Sequence, residues 1–319
     1  MPAVIRIIWC RGKWLDSLSD VLNLMRLRGC VYFLRDFSAP WGMEMSDGAF
    51  AQFHMVARGR CWLQFEGDTL ELASGDVIVF PRGDGHSLLD HPGTAPIPGR
   101  KVLEAHLGGQ PIFANEGDRT RLLCGHFEFD RAFRHPLTDE LPRLIHIKGL
   151  SGDQPDWFDA VTRVLIRETG GMQPGAPTVV NRLAEVLFIQ VLRAYLLFHR
   201  PSHGFLGAIQ DEQINRALRA VHAGFGKDLT LADIAREAGM SRSNLALRFK
   251  EILGETPMDY MTRWRMLKAQ ELLKTPDFSS LSDIAERVGY KSESAFSHAF
   301  KREFGQSPGT FRRLLTENM

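Results

Sequence analysis

Two copies of one pattern decide the fold of this chain: LADIAREAGMSRSNLALRFKEILGETP at residues 231–257 and LSDIAERVGYKSESAFSHAFKREFGQSP at residues 281–308. The matched residues lie 50 positions apart in the first part of each copy and 51 apart in the second. They include an Asp-Ile-Ala triplet, a glycine, two serines, a Phe-Lys pair and a closing Gly-x-x-Pro. Because two copies are too few for a solenoid, the pattern indicates a duplicated module.

Each copy predicts two helices joined by a tight turn. Gly239 and Gly289 stand where the first helix must end and turn. Residues suited to cap the predicted helices precede or begin them: Thr230, Ser241, Ser282 and Ser292. A helix, a short turn and a second helix form the unit that places a recognition helix in the major groove of DNA. A further helix, predicted at about residues 258–275, joins the copies.

The composition is that of an ordinary globular protein of about two domains. The chain has 319 residues, of which 44% are hydrophobic and 24% charged, with a net charge of +1. Charge alone therefore does not indicate a nucleic-acid partner. No apolar stretch approaches the ~20 residues of a membrane span, and the N-terminus lacks the pattern of a signal peptide. Four widely spaced cysteines do not suggest a disulfide framework, so we expect a cytoplasmic protein without membrane partners.

Short β-rich runs between residues 30 and 147 predict an antiparallel sandwich or barrel, with a loop at 91–100. Two helices follow at about 156–199, and the second is apolar enough to lie either against its own barrel or at a dimer interface. A Pro- and Gly-containing stretch predicts a linker at 201–211. The expected fold is α+β, with a β-barrel and dimerisation domain at 1–200 and an all-α DNA-binding domain at 212–319.

The C-terminal patterns carry a family resemblance. DIAxxxGxSxSxLxxxFKxxxGxxP, DIAxxxGYxSxSxFxxxFKxxxGxSPxxFR and the joining RxxxAxxLL at 265–273 resemble the AraC family of bacterial transcription regulators, over roughly residues 213–313. The resemblance implies two helix-turn-helix units on one face of double-stranded DNA, about one helical turn (~34 Å) apart. It also implies an activator, with RNA polymerase as a partner.

The resemblance assigns DNA contacts to exposed positions of the two recognition helices. They are Arg242, Ser243, Asn244, Ala246, Leu247 and Arg248 in the first, and Glu293, Ser294, Ser297 and His298 in the second. Many family members carry arginine where this chain has Leu247. A leucine could contact a thymine methyl group, whereas Arg248 could reach a phosphate. The alternative for each residue is simple solvent exposure.

The N-terminal part resembles a cupin domain over about residues 30–130. GDVIVFPRGDGHSLLD, residues 75–90, resembles the second cupin motif, with Asp90 in place of the usual asparagine. Gly48 and His54 fit the first motif, but Val56 replaces its second histidine and its usual glutamate is absent. Two of the four usual metal ligands remain, His54 and His86, so we expect that the chain is not an enzyme.

Other residues could complete a site with these two histidines. If the first and last strands meet, Cys30 and Cys124 join His54 and His86 in a Cys2His2 set that suits zinc, with His126 in reserve. Some AraC regulators with this kind of cupin domain respond to oxidants through two cysteines, which would imply a redox switch. A small organic inducer in the barrel, or a core without any ligand, are the alternatives.

The sequence thus predicts a DNA-binding transcription regulator that acts as a homodimer and senses a metal, an oxidant or a small molecule. It indicates neither an enzyme nor a membrane protein. Two other functions fit parts of the pattern. One is a cupin enzyme fused to a DNA-binding domain, and the other is a helical module that binds protein.

Overall fold

The structure is a computed structural model, which describes residues 16–129, 135–149, 157–170, 173–275 and 280–317. Within those ranges the chain forms two compact units. The β unit falls in Arg26–Arg131 and Thr138–Arg200, and the helical unit in Met1–Met25, Ala132–Leu137 and Pro201–Met319. Residues 1–15, which include Cys10, lie outside the described residues.

The β unit contains two five-stranded sheets, which confirms the predicted barrel or sandwich. Their orders are β1-β9-β3-β6-β10 and β5-β4-β7-β2-β8. Among the described strands, β2 and β8 pair in parallel and the other pairs are antiparallel. The strands are β1 (Arg28–Ser38), β2 (Gly42–Met45), β3 (Ala51–Arg58), β4 (Arg60–Phe65), β5 (Asp68–Ala73), β6 (Val77–Phe80), β7 (His86–Leu89), β8 (Ile97–Pro98), β9 (Arg119–Glu128) and β10 (Ile145–Ile147).

Residues 91–96 form the loop that the sequence predicts, whereas residues 97–100 do not. Ile97 and Pro98 form β8, because Ile97 pairs with Met43 of β2. A helix follows at once, α2 (Gly99–Leu107), and a short helix, α3 (Pro136–Glu140), lies before β10. Tertiary pairing at the sheet edge therefore overrides the local turn signals.

Strand β9 is buried on both faces, because it lies between β1 and β3 and under a helix. Leu122 and Cys124 belong to the buried cluster between the sheets. On the other face, the ring of Phe127 lies 4.9 Å from that of Phe188. Alternate residues of a strand point to opposite faces, so this strand carries both the interior side chains of the β unit and the apolar surface on which the helix packs.

That helix is α5 (Ala176–His199), which follows α4 (Trp157–Gly170) and packs on β1. Gly29 of β1 permits the close approach: a Cβ there would lie 2.6 Å from the Cβ of Ala184. The helix thus covers its own sheet, while Val179, Val186 and Leu197 stay exposed at 40%, 40% and 61%. No helix within the described ranges is both long and apolar enough to cross a membrane.

The helical unit confirms the duplicated helix-turn-helix. Its helices are α1 (Ser17–Met25), α6 (Gly204–Gln210), α7 (Glu212–Gly224), α8 (Leu231–Ala238), α9 (Arg242–Leu253), α10 (Pro257–Leu273), α11 (Leu281–Arg287), α12 (Glu293–Phe304) and α13 (Pro308–Glu317). Helices α8–α9 and α11–α12 are the two units, and α10 joins them. Gly239 and Gly289 have φ of +67° and +82°, the left-handed turn conformation that glycine adopts without strain.

The caps agree with the sequence prediction at three of four helices. Thr230, Ser241 and Ser292 each accept a hydrogen bond from a backbone N–H in the first turn that follows. The prediction of Ser282 is wrong: Ser280 caps α11 by accepting from the backbone N–H of Asp283. Helix α11 begins at Leu281, so Ser282 is already inside it, and Ser280 is the residue that matches Thr230 at the 50-residue spacing.

Two helices lie where the sequence suggested no DNA-binding structure. The predicted linker contains α6, in which Phe205, Leu206 and Ala208 are buried. Helix α1 belongs to the helical unit, and the side chain of Asp20 lies 3.0 Å from Nδ1 of the buried His222. The helical unit thus also includes a segment from before the β unit, Met1–Met25.

Gly29→Ala is expected to destabilise the β unit by about 1–3 kcal/mol, because the new methyl group would collide with Ala184 in the β1–α5 contact. Urea unfolding of the full chain, followed by circular dichroism, measures the change. Gly93→Ala is the matched control, since its nearest neighbour would lie 3.6 Å away in ordinary contact, and should change stability by less than about 0.5 kcal/mol. Equal effects would contradict the packing argument.

Candidate functional sites in the barrel and on the recognition helices

A hydrogen-bonded chain of buried polar side chains crosses the interior of the β unit. His54 of β3 and Cys124 of β9 are direct cross-strand partners, and Nδ1 of His54 lies 2.9 Å from Sγ of Cys124. Nε2 of His54 lies 2.9 Å from Nε2 of His86, which belongs to β7 in the other sheet. Nδ1 of His86 lies 2.8 Å from the carbonyl oxygen of Asp84. The chain therefore links the two sheets.

Burial keeps the members of this chain uncharged. It lowers the pKa of His54 well below its usual value, an effect to which His86 adds, and it lowers the pKa of His86 to about 4. Burial also raises the pKa of the Cys124 thiol well above the ordinary value, and Cys61 adds to that shift. At neutral pH the chain thus consists of two imidazoles and a thiol.

The direction of each hydrogen bond follows from the last acceptor. The carbonyl of Asp84 can only accept, so Nδ1–H of His86 donates to it and Nε2 of the neutral ring accepts. Nε2–H of His54 must then donate to His86, which leaves Nδ1 of His54 as an acceptor. The Cys124 S–H completes the chain as the donor to His54.

The structure brings together three of the four predicted ligands. The fourth, Cys30, pairs with His126 of β9. A register shift in β1 separates that pair from the pair that contains Cys124. His126, the reserve ligand, has its Nε2 3.1 Å from Oε1 of Glu128. Cys30, Cys61 and Cys124 are free thiols, and burial raises the pKa of Cys30. Redox sensing by Cys30 and Cys124 stays a prediction.

Zinc binding stays a prediction. In the part of the chain that the structure describes, no three His, Cys, Asp or Glu side chains are grouped so that they could hold a metal ion. Both ring nitrogens of His54 are already engaged, one by Cys124 and one by His86. His54 would have to give up one of these bonds before it could become a zinc ligand. Val56, at the position of the missing cupin histidine, is buried in the apolar cluster.

A pocket of ≈520 Å³ opens onto this polar chain. His54 and Cys124 line it together with apolar side chains that sequence reasoning did not single out, namely Tyr32, Phe33, Met43, Met45 and Leu103. The alternation of Met43 and Met45 on β2 was visible in the sequence. That all five side chains line one pocket depends on how β1, β2 and α2 meet. Pockets of 300–1,000 Å³ with apolar walls and a few polar groups are typical of small-molecule sites.

The recognition helices present most of the predicted DNA-contact residues to solvent. Exposed positions are Arg242, Ser243, Asn244, Leu247, Glu293, Ser294 and His298, whereas Ala246, Arg248 and Ser297 are half-buried. Leu247 is 63% exposed. A large apolar side chain in that position is unusual on a free surface and is suited to a thymine methyl group.

Arg248 is held within the helical unit. Its guanidinium donates to Oδ2 of Asp211 at 2.5 Å and to Oε1 of Gln213 at 3.1 Å. The same Asp211 carboxylate caps α7 by accepting from backbone N–H groups. Arg248 thus connects the first recognition helix to α7, which argues against the phosphate contact that the sequence suggested for it.

Arg265 of α10 connects the loop before the first helix-turn-helix unit to the second unit. Its Nε donates to the carbonyl of Phe225 at 2.7 Å, and its terminal nitrogen donates to the carbonyl of Lys227 at 2.8 Å. The guanidinium also lies 5.8 Å from the ring centre of Tyr290. The loop between α7 and α8 is therefore tied to the turn of the second unit. The sequence showed this arginine only as part of a family pattern.

A β domain with an internal pocket, followed by two helix-turn-helix units, defines a DNA-binding transcription regulator with a cupin-type ligand-sensing domain. Residues 16–197 match a family model described as a cupin, and residues 234–314 match one described as a helix-turn-helix domain. The chain belongs to the AraC family of transcription regulators, as its relatives show.

An AraC-like transcription regulator of Streptomyces lividans is 33% identical to this chain, over 94% of this chain and 98% of its own length. The HTH-type transcriptional regulator AlkR of Acinetobacter baylyi is 29% identical over 94% of this chain and 99% of its own. Among solved structures, the DNA-binding domain of AdpA in complex with a target DNA is 29% identical, covering 34% of this chain and 96% of that one, with a TM-score of 0.32.

Arg242→Ala and Arg248→Ala are expected to affect DNA binding differently. Loss of one phosphate contact reduces the slope of log affinity against log salt concentration by about 0.9. We expect that reduction for Arg242, which is exposed at the start of α9, and no change for Arg248, whose charge is paired with Asp211. Fluorescence anisotropy of the full chain with DNA from upstream of its own gene gives both slopes, and thermal melts check that the variants fold. Equal slope changes would show that Arg248 leaves Asp211 in the complex.

Proposed function

We propose that this chain is a homodimeric transcription activator, without enzymatic activity, that acts in the cytoplasm. In this proposal α9 and α12 bind double-stranded DNA, the DNA-bound protein contacts RNA polymerase, and a small organic molecule in the β-unit pocket sets the affinity for DNA. The observation that carries the effector part is the ≈520 Å³ pocket, with its apolar walls and with His54 and Cys124 in its lining. It lies in the same chain as two complete helix-turn-helix units.

The composition of the pocket favours an organic effector over a metal ion. A bare ion would leave most of this volume unfilled, and His54 has no unengaged ring nitrogen to offer it. An uncharged molecule with an apolar body would instead contact Phe33, Met43 and Leu103. Burial of such a body supplies about 25 cal/mol per Å² of apolar surface removed from water.

An effector changes DNA affinity only if it binds two conformations of the protein unequally. For this coupling between effector and DNA, we propose that residues 1–200 are the sensor and dimerisation region, 201–211 the connection and 212–319 the DNA-binding domain. Helix α1 is the exception, because it packs in the helical unit. A dimer would hold two readers on one DNA, and its half-site occupancy would depend on the orientation that the sensors allow.

Helix α5 supports the dimer part of the proposal. Successive residues of a helix are ~100° apart, so Val179, Val186 and Leu197 fall on one side of it. These three side chains are exposed, while Leu187 and Phe188 are buried within the β unit. The helix therefore presents a second apolar line, away from its own sheet, on which a second copy of the chain could pack.

Native mass spectrometry of the full chain, purified without chelator, tests the effector. We expect a bound organic mass that is lost in Leu103→Trp, because the larger side chain would occupy the pocket. Gly93→Ala, outside the pocket, serves as the control and should retain the ligand. A zinc mass in place of an organic one would support the Cys2His2 prediction. DNA binding by anisotropy, steeply weakened by salt, tests the regulator independently, and no preference for the upstream DNA over random DNA would reject it.

Val186→Glu is expected to weaken dimerisation by at least about tenfold, which corresponds to about 1.4 kcal/mol, because two charges would be buried at the centre of the apolar line. Sedimentation velocity over a range of concentrations measures the monomer–dimer midpoint. Thr178→Glu is the matched control, since this exposed residue lies ~100° away from the line, and it should leave the midpoint unchanged. A monomer at all concentrations, or equal effects of the two changes, would reject a dimer through this face.

A further inference from the structure

The polar chain in the pocket has the parts of a nucleophile and its base. We propose that Cys124 forms a covalent adduct with an uncharged soft electrophile, an α,β-unsaturated carbonyl compound, and that His54 is the base that removes the thiol proton. This inference rests on the proposed function, because it assigns a chemical class to the effector of the same pocket.

The first support is the geometry of the pair. Sγ of Cys124 and Nδ1 of His54 are 2.9 Å apart, and the direction of the chain makes the thiol the donor and the imidazole the acceptor. A nucleophile whose proton already points at a base, and a base oriented by a third group, is the arrangement of activated nucleophiles in general. His86 is that third group, held in turn by the carbonyl of Asp84.

The second support is the pocket itself. Its lining includes both reacting residues, so a small molecule that enters lies next to the thiol. Apolar side chains form much of the remaining wall, and the amide of Gln52 and the hydroxyl of Tyr32 supply uncharged hydrogen-bond donors. Glu44 and Arg100, of opposite charge, also line the pocket. An apolar molecule with one carbonyl oxygen matches this lining, and its β-carbon is a soft electrophile for which a sulfur nucleophile is suited.

The step balances without an oxidant. As the Cys124 sulfur forms a bond to the β-carbon, the electron pair of the carbon–carbon double bond moves toward the carbonyl oxygen. The thiol proton passes to Nδ1 of His54, and the proton on Nε2 of His54 can move to Nε2 of His86, which spreads the positive charge over two rings. Return of one proton to the α-carbon restores both neutral imidazoles. The net result is addition of S and H across the double bond.

Neutrality of the resting chain makes the reaction selective. An exposed thiolate would react with any electrophile, but Cys124 is 2% exposed and reaches nucleophilic form only as its proton leaves. Reaction is thus expected with molecules that fit the pocket and place a β-carbon beside Sγ. This property would distinguish Cys124 from Cys30, which is partly exposed.

The experiment uses the full chain with Cys10→Ser, Cys30→Ser and Cys61→Ala, so that Cys124 is the remaining thiol, and 2-cyclohexen-1-one as the probe. Intact mass spectrometry gives the rate of adduct formation, with and without the further change His54→Gln. Glutamine can still accept the thiol hydrogen bond but cannot act as the base. We expect the change to slow the reaction on the order of 100-fold.

A pH profile separates a base from a residue that only shapes the pocket. With His54 present, the rate should depend only weakly on pH from about 6 to 8, because the thiol passes its proton to the hydrogen-bonded imidazole and does not have to ionise first. With His54→Gln, the rate should rise by about tenfold per pH unit as the thiolate fraction grows. In urea both proteins should react equally, which confirms an unaltered thiol.

Formation of the adduct in urea but not in the folded protein would overturn the proposal, and so would equal rates and pH profiles in the two folded proteins. Anisotropy with the upstream DNA is measured on the same unmodified samples. DNA binding without an adduct rejects the covalent step and leaves the regulator intact, whereas an adduct without DNA binding rejects the regulator and leaves the chemistry.

Discussion

The interior of the β unit depends on the hydrogen bonds that give His54, His86 and Cys124 partners between the two sheets. Burying a polar group without a partner costs about 1–3 kcal/mol, or more where water is fully excluded. His54 and His86 are 4% exposed and Cys124 2%, and their bonds run unbroken from one sheet to the other. The same bonds join β3 and β9 of one sheet to β7 of the other. Sheet packing and pocket chemistry therefore have a common origin in one side-chain network.

The two helix-turn-helix units are alike in backbone and different in chemistry. Their caps, turn glycines and buried phenylalanines repeat, because each unit must solve the same folding problem. Their exposed faces do not: the first presents Leu247 and keeps Arg248 on Asp211, while the second presents Glu293 and His298. Apolar contact and hydrogen bonding distinguish different base edges, so each unit is suited to a different half of a site.

The sequence predicted what local spacing determines. The repeat located both units, their caps and the joining helix to within a residue or two. It erred at Ser282 because the true cap, Ser280, is also a serine and lies only two positions earlier. Three of the four residues that the sequence selected as ligands, His54, His86 and Cys124, lie in one hydrogen-bonded chain. The sequence did not predict that Met43 and Leu103 line the pocket, or that Arg265 bonds the carbonyls of Phe225 and Lys227. These contacts join elements that are far apart in the chain. The sequence also did not show the register shift in β1, which places Cys30 opposite His126.

Helix α1 shows that the helical unit is discontinuous. Its Val21, Leu24 and Met25 are buried, its Ser17 hydroxyl bonds Asn215 of α7, and His222 beneath it stacks on Trp264 at 3.6 Å. In chain order the two segments of the β unit thus alternate with the three segments of the helical unit, which include Ala132–Leu137. A fragment cut at residue 212 would keep both recognition helices but expose the apolar surface that α1 covers. Such a fragment is missing part of its own core, so its behaviour would report a damaged domain and not a sensor-free regulator.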